Sequence, residues 1–87
     1  MNTKEKSALR SNAKKLQPIL RIGKSGLTVS VVKEIEKLLE KRNLVKIKLL
    51  GSSITNDGKK ELINKISLIT NSELIDNVGN VFVIYRK

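Results

Sequence analysis

The run Val81-Phe82-Val83-Ile84-Tyr85 constrains the fold more than any other stretch, because it is nearly continuous in apolar side chains. A strand with alternating apolar and polar residues can leave one face in water. A strand apolar on both faces has to be covered on both, so this one belongs in the middle of a sheet with layers above and below it. Just before it, Gly79-Asn80 suits a two-residue hairpin turn with Gly at a positive φ, which makes Leu74 to Val78 its partner strand. Further upstream, Leu44-Val45-Lys46-Ile47-Lys48-Leu49-Leu50 alternates at period two, with Val45, Ile47 and Leu49 facing inward and Lys46 and Lys48 facing outward to water.

Helical spacing supplies the covering layers. Leu9, Ala13 and Leu16 form a narrow stripe on a first helix running to about Lys15, with Thr3 as its expected cap. Pro18 ends that helix and turns Gln17 extended, so that Ile19-Leu20-Arg21-Ile22 reads as a short strand. A second helix, capped by Thr28, runs to roughly Arg42 and buries Val31, Val32, Ile35, Leu38 and Leu39, with Asn43 as its stop. Gly51 to Gly58 reads as a turn-rich, mobile loop. A third helix follows to about Thr70, with Leu62, Ile63, Ile66 and Ile69 inward. The order is α-β-α-β-α-β-β, a single domain over residues 1–87 of the α/β class. It is an α+β sandwich in which a mixed four-stranded sheet packs with three helices, two of them as crossovers on one face and the thin-striped first helix on the other.

Charge narrows the partner. Eighteen Lys and Arg stand against eight Asp and Glu, a net charge of +10. The first 25 residues hold seven of those cations against Glu5 alone. Such an excess favours a polyanion, whose condensed counterions are released on binding. The alternative is a basic surface that serves only solubility, which mixed-sign charge would achieve with less self-repulsion. Lys6, Arg10 and Lys14 recur at i, i+4, i+8 beside the stripe of the first helix, where like charges repel unless they are partnered. A phosphate backbone lying across them is one partner, and a plain solvated face is the other reading.

With no Cys and no His, disulfides, zinc and iron–sulfur sites, thiol nucleophiles and imidazole bases are all removed, and no metal or cofactor is expected. The carboxylates sit mostly among helical lysines, where i,i+4 pairing is the simpler role, so nothing points to an enzyme. No window is long and apolar enough for a membrane span and the first residues are too polar for a signal peptide, so a cytoplasmic protein is expected.

Gly23-Lys24-Ser25-Gly26 lies between a strand and a helix N-terminus. Two glycines let a backbone approach closely, and the helix's free amides favour an anion there. Arg21 and Lys24 add positive charge. KH domains clamp a nucleic-acid backbone with such a GxxG loop. The competing reading is a tight turn that needs two glycines for its shape. The GxxxxGK[ST] spacing of a P-loop is absent, and so is GxGxxG. Phe82 and Tyr85 are the only aromatics and lie in the strand expected to be buried, so there is no base-stacking platform.

The run from Leu16 to Thr28, LQPILRIGKSGLT, resembles the signature of the CRM domain, the chloroplast RNA splicing and ribosome maturation family, and in particular its stand-alone YhbY-like members. The resemblance continues through Val32-Lys33-Glu34-Ile35 and Leu44 to Lys48 and ends at Val83-Ile84-Tyr85-Arg86. It implies a fold similar to the C-terminal domain of translation initiation factor three. It also implies RNA as partner, an association with large-subunit ribosomal precursors, and RNA contact at Gly23, Lys24, Ser25 and Gly26. It carries nothing onto the segment from Gly51 to Lys60. The expected RNA-binding set is these four residues with Arg21, Thr28, Lys6, Arg10 and Lys14, on a monomer that grips structured RNA without base readout. Two other readings compete: a double-stranded DNA binder, which the carboxylates Glu34, Glu36 and Glu40 on the second helix oppose, and a module docking on an acidic ribosomal or translation protein.

Overall fold

A computed structural model describes residues 2–23, 26–50 and 56–87, with residues 56 and 57 described as backbone only. Lys24, Ser25 and residues 51–55 of the expected mobile loop lie outside the described residues. The elements are α1 (Thr3–Lys14), β1 (Leu20–Ile22), α2 (Val29–Lys41), β2 (Leu44–Leu49), α3 (Asn56–Thr70), β3 (Glu73–Val78) and β4 (Val81–Tyr85). The sheet order is β1-β2-β4-β3, with β1 parallel to β2 and the other pairs antiparallel. The apolar run thus forms an interior strand, as its two apolar faces require.

One face of the sheet carries the larger core. Ile35 and Leu39 of α2 and Ile63 and Ile66 of α3 pack on Ile22, Val45, Ile47, Leu49, Phe82 and Ile84. On the other face α1 lays Leu9 and Ala13 on Ile75, Val83, Leu44 and Tyr85. The β3·β4 register shifts between Leu74 and Asp76, which makes Ile75 an extra residue. This bulge lets Ile75 fill the second core while its neighbour Asp76 stays on the same face.

Several expectations need correction. Asn2, not Thr3, caps α1: its Oδ1 accepts from the Glu5 amide at 2.8 Å. Leu16 lies beyond the helix and is exposed, so the buried stripe is Leu9 and Ala13. α2 runs to Lys41 with Arg42 as its C-cap, as expected, but Val31, Val32 and Leu38 are only half-buried. α3 begins at Asn56, inside the expected loop, since Asn, Asp and Gly start helices as readily as they make turns. Ile69 is 53% exposed and Thr70 takes its place in the core. The spacing 63, 66, 70 keeps one helical face, and Thr70 is accommodated because its hydroxyl donates to the Ile66 carbonyl at 2.6 Å. Finally, Lys46 does not stand in water. Its Nζ donates to the carbonyls of Ala13 (3.2 Å) and Leu16 (3.0 Å), holding the C-terminal end of α1 on the sheet.

The parallel pairing of β1 with β2 and the β3–β4 hairpin bring several chain segments to one end of the sheet. There the Leu50 amide donates to Ile22 O and the Leu49 amide to Asn80 O, both at 2.7 Å. Gly79 at φ 60° turns the hairpin, whose strands close on the Val78–Val81 pair. The 23–26 loop and the N-terminus of α2 open at this same end.

Candidate nucleic-acid interface

The loop is closed across its base. The Gly26 amide donates to the Gly23 carbonyl at 3.0 Å, and Gly26 sits at φ 66°. A side chain at Gly26 would be strained whatever the space around it. Gly23 is different: its φ is ordinary and a Cβ there would meet nothing within 4 Å. Packing among the described residues therefore does not demand glycine at 23.

Thr28 caps α2. Its Oγ1 accepts from the Val31 amide at 3.2 Å, and the Val32 amide donates to Thr28 O at 3.0 Å. The amides of Val29 and Ser30 then have no partner within the helix, and the helix dipole adds partial positive charge at the loop. Thr28→Ala is expected to lower stability by about 1 kcal/mol, read as a fall in thermal midpoint, because it leaves the Val31 amide uncapped. A melt unchanged by the substitution would contradict the capping role.

The basic residues of α1 divide. Lys6 pairs with Glu73 and Arg10 Nε with Asp76, each at 3.7 Å, and Arg10 Nη2 also donates to Ile75 O at 3.3 Å. Both therefore have partners inside the fold, on β3, so the i, i+4, i+8 repeat does not need a phosphate to relieve it. Lys14 is exposed and has no acidic partner among the described residues. It lies with Leu16, Pro18 and Val78 along a groove of about 520 Å³ beside the end of α1. Arg21 is exposed on β1, in register with Lys48 on β2. Lys48 was not among the expected site residues; its outward position in the alternating strand, next to Arg21 once the strands pair in parallel, is the signal that finds it. The structure thus brings Gly23, Gly26, Thr28 and Arg21 to one end of the sheet and leaves Lys6 and Arg10 paired to β3, the edge strand opposite β1.

No group of three or more His, Cys, Asp or Glu among the described residues is arranged to hold a metal ion. No helix among them is long and apolar enough to cross a membrane.

The CRS1 / YhbY (CRM) domain model matches residues 1–86. A Haemophilus influenzae protein named "RNA-binding protein" is 34% identical over 86 residues, covering 99% of this chain and 85% of that one. The Bacillus subtilis "Probable RNA-binding protein YqeI" is 32% identical over 84 residues, covering 97% and 85%. The solution structure of the hypothetical protein SAV1595 from Staphylococcus aureus superposes with a TM-score of 0.84 at 40% identity, covering all of this chain and 88% of that one. With a family model spanning almost its whole length and relatives above 30% identity, the chain belongs to the CRS1/YhbY (CRM) domain family.

Proposed function

We propose that this protein binds RNA without catalysing a reaction, holding the backbone of structured ribosomal RNA at the 23–26 loop during assembly of the large subunit. It acts as a monomer in the cytoplasm. The observation that carries the reading is the loop itself: a glycine turn closed at 3.0 Å, opening on helix amides, with Arg21 on the strand before it. The relatives' names support RNA over other polyanions. The ribosomal target and the assembly step rest on the family resemblance.

A salt titration of binding to large-subunit ribosomal RNA fragments tests it, with duplex DNA as competitor. Each phosphate contact contributes about 0.7 to 0.9 to the log–log salt slope, so Lys24→Ala is expected to flatten the slope by about one unit. Gly23→Val is expected to lose binding with little change in the thermal melt, because a Cβ at this position meets none of the described residues within 4 Å. Gly26→Val is a poor probe, since its φ confounds strain with contact. If both Lys24→Ala and Gly23→Val bind like wild type, the loop is only a turn. If the duplex competes as well as RNA, the partner is DNA.

A further inference from the structure

α1 does not cover its whole sheet face. Beyond Lys14 the chain turns away, and among the described residues one cross-strand row is left largely uncovered: exposed Arg21 on β1, exposed Lys48 on β2, half-buried Val81 on β4 and exposed Val78 on β3, each in register with the next. This row abuts the loop, since Gly23 follows Ile22 directly and Gly79-Asn80 joins its two valines.

The composition of the row is unfavourable for an isolated protein. Arg21 and Lys48 are like charges directly opposite one another, an arrangement that destabilises a strand pair, and neither has an acidic partner among the described residues. Val78 is 70% exposed, and Leu16 and Pro18 border the groove above it. The acid beside the groove, Asp76, is already paired with Arg10. One half of the row is thus positive and the other half aliphatic, about one strand spacing of 4.8 Å apart.

We infer that this open row is a second RNA contact, which rests on the function proposed above and adds the class of RNA: one with an unpaired nucleotide next to the backbone held at the loop. The ribose and base lie on Val78 and Val81, and the flanking phosphates meet Lys48, Arg21 and Lys14. A phosphate over the valines would lose hydration for no partner, whereas a base or ribose has apolar surface to bury there. An intact duplex presents phosphates and fits only the positive half. The groove's volume lies within the range of small-ligand sites.

The test compares an RNA hairpin carrying a short single-stranded uridine tail with the same hairpin lacking it. Wild type is expected to bind the tailed RNA more tightly, by about tenfold, equivalent to about 1.4 kcal/mol. Val78→Ser removes apolar surface from an exposed edge position without adding charge, and is expected to erase the tail's advantage while leaving the affinity for the blunt hairpin intact. Lys48→Ala is expected to flatten the salt slope for the tailed RNA by about one unit. If wild type shows no preference for the tail, or Val78→Ser keeps it, the open row is not the contact. In that case, loss of hairpin binding by Gly23→Val leaves the loop assignment standing. If Gly23→Val binds both RNAs like wild type while Val78→Ser loses the tail preference, the row stands and the loop assignment falls. If wild type binds neither RNA, both fall.

Discussion

Phe82→Ala is expected to destabilise the fold by about 3–5 kcal/mol, a large part of the 5–15 kcal/mol typical of a domain. Phe82 is fully buried on β4, in register with Ile47 on β2 and Asn77 on β3. It is also the only phenylalanine in the chain, within a core otherwise built of Ile, Leu and Val. Removing its ring takes apolar surface from the sheet's interior and opens a cavity that the stiff β-branched neighbours Ile47, Ile63 and Ile84 fill poorly. In a chain of this size each kcal/mol corresponds to roughly 4–8 °C in thermal midpoint. Phe82→Leu, which keeps much of the volume, is expected to fall between the alanine variant and wild type. A denaturation series in which Phe82→Ala unfolds within a degree or two of wild type would show that the core collapses around the gap.

Arg86→Met is the second large effect, and it acts through polar contacts. Arg86 Nη1 donates to Glu36 Oε2 on α2 and to the Thr70 carbonyl at the end of α3, both at 2.8 Å. The Arg86 backbone is fixed by Asn43, whose O accepts from the Arg86 amide and whose Nδ2 donates to Arg86 O, both at 2.9 Å. One guanidinium therefore joins both helices of the larger core to the end of β4. Hydrogen bonds to charged groups are worth about 1.5–3 kcal/mol, and partial exposure of this side chain brings the expected loss to about 2 kcal/mol. Arg86→Lys is expected to recover only part of it, because an ammonium lacks the planar fork. Arg86 lies at the opposite end of the sheet from the 23–26 loop. RNA affinity of the folded Arg86→Met protein is therefore expected to match wild type; a large loss of affinity at a temperature where it is folded would extend the RNA contact to that end.

What the sequence made legible was whatever depends on local periodicity. The cap at Thr28, the α2 face centred on Ile35 and Leu39, and the interior place of β4 were all readable, because each follows from spacing within one element. What escaped depends on where elements meet. Lys46 alternates outward in its strand, yet the end of α1 lies over it, and its ammonium is drawn to the carbonyls of Ala13 and Leu16 there. Lys6 and Arg10 form an unbroken basic stripe on their helix, and only the pairing of β3 with β4 shows that acids stand opposite them. Ile69 loses its place to Thr70 because the helical face is set by packing, and a threonine that bonds its own backbone can occupy it. The open row needed the strand order, since its members come from four separate strands.

The order in which a ribosome makes these strands is not their order in the sheet. β4 lies between β2 and β3 but follows both in the chain. A nascent chain that has emerged through β3 has both crossover helices and three strands, yet β3 has no neighbour and β2 has one bare edge. The apolar faces of α2 and α3 then have no Phe82 or Ile84 to cover. Cooperative folding accordingly waits until Tyr85 is free, and until then the exposed edges of β2 and β3 are available to other chains. Synthesis that stalls between Val78 and Tyr85 leaves the intermediate most prone to aggregate.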